Sequence, residues 1–239
     1  MPEKLGPIRS ARTPFVKLTQ SLDGIYAHFG GSVCAKAMIN DMGISHIDGI
    51  TYDGSTYWRD EQLRKTKGLE YSAMTSGEKI QDRANRMKFA ATTDHAAPFV
   101  FGEKTGSIPA ANVMVYISRL QQVNFQYNTA DKLYYKYNGT DQSDPHKTAD
   151  GIQLSATNVI VMYDHFFQEI ESQPITYSFT LEKGSGYLYS GGAGRAIKWS
   201  RSAGGLKYTE EDGSALTVSP GKTYVCLVNE VNSTKAVIR

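Results

Sequence analysis

Residues 6–32 read GPIRSARTPFVKLTQSLDGIYAHFGGS, and the elements they encode set the fold class of the first half of the chain. Thr13 is placed to cap a short helix with Pro14 in its first turn, where a missing N–H costs nothing. Phe15, Leu18 and Leu22 recur at i, i+3 and i+7 as the expected apolar face of that helix. Asp23-Gly24 breaks it. Ile25 to Phe29 is apolar, β-rich and ends at two glycines, as a short buried strand does. Ser32 then caps a second helix, whose inner face is expected to be Val33, Ala37 and Met38 with Cys34 nearby, and which stops at Asp41-Met42-Gly43. Helix, strand, glycine turn and helix in that order make an α/β layer.

The same stretch carries polar equipment. A strand that passes through Gly30, Gly31 and Ser32 into a helix leaves backbone N–H groups at a helix N-terminus, which suits a phosphate or carboxylate, and Arg9 and Arg12 lie at the approach to the neighbouring helix. These residues also have an ordinary reading: solvated arginines, a plain turn, and in His28 a hydrogen-bonded core histidine. Spacing alone leaves both open, because the full phosphate-loop signature is missing.

The chain has 239 residues, 40% hydrophobic and 21% charged, which is enough to bury a sizeable core. Its net charge of +2 comes without a long basic run, which argues against a nucleic-acid partner. The 15 tyrosines fit β-structure better than base stacking. No apolar stretch reaches the length of a membrane span. Cys34 and Cys226 lack framework spacing, so free thiols are expected rather than a disulfide. The five histidines form neither an HExxH pattern nor a Cys/His cluster, so neither a metal nor another cofactor is expected.

Beyond the opening stretch, SGEKIQDRANRMKF keeps a helical period through Ile80, Ala84 and Met87, and residues 92–112 read as a connection rich in turn formers. From Asn112 the period changes to two. NVMVYIS, VNFQYN, KLYYKYN, NVIVMYD, ITYSFTLE, GYLYS, RAIKWSR, ALTVS and TYVCLV are short, β-branched or aromatic segments. The turns EDGS and SPGK are among those that separate them. The expectation is a mixed α+β protein, with an α/β region over residues 1–111 layered on a β-rich region over 112–239 whose strands are mostly antiparallel.

Several segments in order resemble the YerB-like lipoprotein family of Gram-positive bacteria, built on a domain of unknown function. They are EKLGPIRSARTPFVKLTQSLDGIYAHFGGS, YDGSTYWRDEQLRK, DPHKTADGIQLSATNVIVMY, GSGYLYSGGAGRAIKWSRS and YTEEDGSALTVSPGKTYVCLV. The resemblance runs through nearly the whole chain, and its most specific part is the pair Gly-Pro-Ile-Arg-Ser-Ala-Arg and His-Phe-Gly-Gly-Ser. It implies an amino-terminal α/β part, a carboxy-terminal β part, and an exported protein anchored by lipid on an N-terminal cysteine.

Typical members have a further stretch before the arginine motif. This chain is therefore expected to be either a trimmed piece or a shortened relative, and, where members place core strands upstream, to expose a sheet edge or apolar face through which a homodimer forms. Many members also carry a histidine after the Arg-Asp segment, where this chain has Gly68 or Tyr71. Arg9, Arg12, His28, Ser32, Arg59 and Asp60 fall on the family's motif positions, as do His146, Asp150 and Asn158. Asp150 and Asn158 equally suit turns and strand ends, and Trp58 with Tyr57 equally suits a core or a groove wall.

Two functions fit these residues. One is a binding module of the cell envelope whose cleft between the two parts takes an anionic or sugar-containing wall ligand, or an anionic small molecule. Arg9, Arg12 and Arg59 supply forked donors there, with Tyr57 and Trp58 as an aromatic wall and the Gly30-Gly31-Ser32 turn beside them. The other is a hydrolase or transferase acting on wall material, with His28 as acid or base, Asp60 or Asp150 orienting it, and an arginine stabilising developing charge. Binding is favoured, because no triad or paired-carboxylate signature accompanies His28.

Overall fold

The computed structural model describes residues 1–118, 120–169, 175–235 and 237–238. Its contacts divide the chain into two units. The first comprises Met1–Ala96, Phe167–Ser178 and Ala203–Gly205; the second comprises Ala97–Phe166, Phe179–Ser202 and Leu206–Arg239.

The first unit follows the order expected for residues 6–43. Helix α1 (Thr13–Ser21) leads to strand β1 (Tyr26–His28), and helix α2 (Val33–Asp41) leads to strand β2 (His46–Asp48), which pairs with β1 in parallel. Alternation along the two strands sends Tyr26, His28, His46 and Asp48 to one face and Ala27 and Ile47 to the other. On the first face Tyr26 packs against Ala11, Val16, Ala35, Ile39 and Ile44, contributed largely by α1 and α2. On the second, Ile47 clusters with Tyr57 and with Ala84 of helix α4 (Gly77–Arg86). Between these elements strand β3 (Trp58–Arg59) pairs antiparallel with β4 (Ala73–Met74), and helix α3 (Glu61–Lys67) lies between the two in sequence.

Local chemistry explains the helix boundaries. The Ser32 hydroxyl accepts from the Ala35 N–H at 3.2 Å, and Gly43, with φ +62°, ends the chain's helical run after α2. Ser76 caps α4 by accepting from the Lys79 N–H at 3.2 Å, and Arg83 and Arg86 occupy its last turn, where positive charge is favoured. Ile80, Ala84 and Met87 form its inner face, as their spacing predicts.

The inner faces of the first two helices differ from the expectation. Arg12, not Thr13, is the N-cap of α1, and Phe15 and Leu22 are exposed while Thr13, Val16 and Ser21 are buried. The reason is a long-range polar anchor. The Thr13 hydroxyl donates to the buried Glu169 carboxylate and accepts from Ser178 at 2.6 Å, while Thr176 donates to the other Glu169 oxygen. In α2 the buried residues are Ala35 and Ile39, and Val33 and Ala37 face solvent. Ala11, Val16 and Ala35 have no solvent exposure and Ile39 has almost none, so the inner stripe of this cluster combines small and branched side chains.

Among the described residues the second unit holds a small parallel pair, β5 (Val100–Phe101) with β18 (Thr217–Val218), and two six-stranded sheets. One orders β10 (Asp144–Pro145), β9 (Leu133–Asn138), β8 (Gln122–Asn128), β7 (Asn112–Tyr116) and β20 (Val237–Ile238), with β11 (Ser155–Ala156) also on β9. The other orders β17 (Gly205–Glu210), β16 (Ala193–Ser202), β15 (Lys183–Ser190), β12 (Asn158–Asp164) and β19 (Thr223–Asn229), with β6 (Ile108–Pro109) also on β16. Inward residues of both sheets form one core: Val113, Val115, Val123, Phe125 and Tyr134 from the first and Val159, Val161, Tyr163, Tyr189, Cys226 and Val228 from the second. Pairing is mostly antiparallel, as expected; β12 and β19 are parallel in register Asn158↔Thr223 to Asp164↔Asn229. Strand β17 is an addition to the expected set. Its inward positions are Leu206, Tyr208 and Glu210, and the last is a carboxylate held by Arg195 at 3.2 Å and Lys104 at 3.1 Å, so the period does not read as apolar. Burial pushes the free Cys226 thiol up to about 12.

Ile47 has no solvent exposure and lies at the centre of the cluster formed with α4. Ile47→Ala is expected to destabilise the first unit by about 2–5 kcal/mol, through lost transfer energy and the cavity left behind, measured as a lower urea midpoint at unchanged slope.

A three-arginine pocket as candidate functional site

The chain that enters α1 runs beside the chain that leaves β1. The Phe29 N–H donates to the Arg9 carbonyl at 3.0 Å, the Ala11 N–H to the Gly30 carbonyl at 2.8 Å, and the Ser32 N–H to the Ala11 carbonyl at 3.2 Å. Gly31 is required at this approach, since a Cβ there would stand 2.9 Å from the Cβ of Ala11. On its other side the Ile8 N–H donates to the Ala73 carbonyl at 2.7 Å, which brings β4 and its partner β3 alongside. Arg9 and Arg12 from the first segment and Arg59 from β3 thereby converge.

They line a cavity of about 200 Å³ together with Ile8, Ser10, Phe29, Leu69 and Glu70, all from the first unit. The Arg59 guanidinium lies 4.0 Å over the Phe29 ring, and its Nη1 donates to the Leu69 carbonyl at 2.9 Å. The Arg9 guanidinium lies 4.4 Å over the Tyr71 ring, and its Nη2 donates to Glu70 Oε2 at 2.9 Å. Arg12 Nη1 donates to the Ala11 carbonyl at 2.9 Å. Three guanidiniums and one carboxylate leave the lining positively charged. Stacking on a ring fixes the guanidinium plane and leaves its in-plane N–H edge for acceptors, which here are Glu70 at Arg9, and the Leu69 carbonyl and Asp53, 4.0 Å from Nε, at Arg59.

Other sequence candidates are used differently. Asp60 caps α3, accepting from the Leu63 N–H at 2.9 Å and from Lys4 Nζ at 2.5 Å; the Lys4 hydrogen bond and then the Leu63 N–H hold its carboxyl below the usual range. Trp58 is half-buried on β3 and does not line the cavity. The glycine turn does not face an anion through Gly30 or Ser32: the Gly30 N–H donates to Asp48 Oδ1 at 2.8 Å, and the Ser32 N–H is the donor to Ala11 described above. Asp48 also accepts from the Ile50 N–H at 3.0 Å, so the fold's own carboxylate holds the turn.

His28 has 1% exposure and both ring nitrogens engaged. Its Nδ1 lies 2.8 Å from the Gly30 carbonyl, which only accepts, so Nδ1 carries the proton. Nε2 then accepts from His46 Nδ1 at 3.0 Å. That leaves His28 no free nitrogen to exchange a proton with a substrate. The pair was not visible in the sequence; only the parallel register of β1 and β2 puts the two rings on one face. In the second unit, His146 Nδ1 meets the buried Lys136 ammonium, and burial lowers the pKa of both groups. Asp150 accepts from Thr148 and lines a separate cavity of about 560 Å³ with Ile152, Lys222 and Tyr224 among others. Asn158 is fully buried and donates to the Ser219 carbonyl at 2.9 Å and Thr223 Oγ1 at 3.2 Å, a strand-end clamp.

The two halves of the chain match two domains of one family. Residues 1–90 match "Protein of unknown function (DUF3048) N-terminal domain" and residues 112–225 match the C-terminal domain of the same description. The chain belongs to this family. It is 25% identical over 242 residues to "Putative lipoprotein YerB" of Bacillus subtilis (strain 168), covering 98% of this chain and 69% of that relative. The crystal structure of YerB protein from Bacillus subtilis superposes with a TM-score of 0.81 at 24% identity, covering 100% of this chain and 78% of that one, so the fold is shared. Among the described residues no helix is long and apolar enough to cross a membrane.

Burial, and then the neighbouring His28, lower the pKa of His46 from its ordinary 6.5, with Asp48 opposing. A lowered folded pKa means stability that is complete above about pH 6.5 and lost as pH falls through the lower folded value. Urea midpoints should therefore drop between pH 7.5 and pH 5, and the drop should be smaller in His46→Gln; equal drops in both proteins would remove His46 as the cause.

Proposed function

We infer that this chain is an extracytoplasmic, envelope-associated binding protein whose three-arginine pocket holds the anionic group of a carboxylate- or phosphate-bearing ligand, including sugar-containing wall fragments. The convergence of Arg9, Arg12 and Arg59 on one cavity carries the reading, because forked donors at one point match a planar or tetrahedral oxyanion. Phe29 and Leu69 supply apolar surface in the same cavity for the carbon skeleton of such a ligand. The envelope location is supported by the lipoprotein description of the Bacillus subtilis relative, and with it goes lipid anchoring of the full-length protein. The buried, doubly bonded ring of His28 favours binding over acid-base chemistry.

Titration calorimetry with inorganic phosphate, citrate and N-acetylmuramic acid tests the reading. Arg9→Lys combined with Arg12→Lys is expected to weaken binding about tenfold with little change in Tm, since lysine keeps the charge and loses the planar fork. Unchanged affinity together with a lowered Tm would make these arginines structural instead.

A further inference from the structure

The pocket is already in contact with a short piece of its own chain. After Gly68, with φ +94°, residues Leu69–Tyr71 form a single 3-10 turn against the arginines. Three of its groups are recognised separately: the Leu69 carbonyl by Arg59 Nη1, the Glu70 carboxylate by Arg9 Nη2, and the Tyr71 ring by the face of the Arg9 guanidinium. An amide carbonyl followed by a carboxylate on the next residue is thus a pattern that these arginines satisfy with ordinary distances. Hydrophobic filling does not explain the turn's position, because Leu69 and Tyr71 are 54% and 46% exposed. The Glu70 side chain is 76% exposed and the Arg9 side chain 47%, so their ion pair is a surface one, weak and readily exchanged.

Resting on the anion-binding reading, we propose that the pocket takes an acidic peptide-like ligand, recognised through a carboxylate and the amide carbonyl one residue before it, and that Leu69-Glu70 is its internal stand-in. The external carboxylate displaces Glu70 from Arg9, and Arg12 lies in the same lining to share the added charge. Glu70 thereby also sets selectivity. A ligand without an anionic group gains nothing at Arg9 to offset the displaced pair.

The test compares the full chain with Glu70→Ala, a change at an exposed side chain, using acetyl-Leu-Glu-Tyr-amide, acetyl-Leu-Gln-Tyr-amide and inorganic phosphate as probes in titration calorimetry. The glutamate peptide is expected to bind Glu70→Ala about fivefold more tightly than the native chain, the size of a lost exposed ion pair. The glutamine peptide is expected not to bind, and Arg9→Gln added to Glu70→Ala should abolish binding of the glutamate peptide. Equal affinity of native chain and Glu70→Ala, or equal binding of the two peptides, overturns the proposal. Phosphate binding that strengthens in Glu70→Ala while neither peptide binds also overturns it but leaves the anion site standing. Failure of phosphate and both peptides on both proteins, with Tm unchanged, overturns the anion site itself.

Discussion

Gly30 is the point on which the first unit depends. Its carbonyl accepts from both the Ala11 N–H and His28 Nδ1, each at 2.8 Å, and its own N–H donates to Asp48. One residue therefore fixes the entering segment, the buried imidazole and the end of β2. Its φ of +67° belongs to the left-handed region that favours glycine; the nearest atom to a Cβ there would be Cδ1 of the exposed Ile50, which can move aside, so the backbone conformation rather than space selects glycine. Arg9 and Arg12 flank the segment this carbonyl holds, and their aim at a common cavity follows from it.

The histidine pair is a second consequence. Because Gly30 commits His28 to the Nδ1–H form, the acceptor at Nε2 is available to His46 alone. The two stacked rings, 5.2 Å apart, form a polar layer on the sheet face where Tyr26 packs against the α1 and α2 cluster. Burying polar groups is tolerable there because each named donor has a partner within the layer.

What the sequence disclosed follows the range of the interactions involved. The cap at Ser32, the stop at Gly43 and the two-residue period after Asn112 are local, and each was readable from neighbouring residues; the Ser76 cap of α4 was not, since Lys79 stands where a capping-box Glu or Gln would. The convergence of Arg9, Arg12 and Arg59 was readable only in part: the residue types suggested an anion, whereas the ring of Phe29 beneath Arg59 and the Glu70 carboxylate against Arg9 lie 30 and 61 residues away along the chain. The inner face of α1 was hidden for the same reason. Thr13 is buried by Glu169, and no periodicity within residues 13–21 carries that information. The turn amides of Gly30 and Ser32, which locally look open to a ligand, are closed by Asp48 and Ala11, which only tertiary pairing supplies.

The hydrogen bond between Thr13 and Glu169 joins residues 156 positions apart, within a unit that includes Phe167–Ser178. On a ribosome adding about 5–20 residues per second, that distance is roughly 8 to 30 seconds of synthesis. During this time α1 exists without its carboxylate partner, while β7 to β11 of the second unit's first sheet are synthesised. The amino-terminal unit is therefore the first to be begun but is completed only after much of the second unit has been made, so synthesis interleaves the two units rather than closing them one after the other.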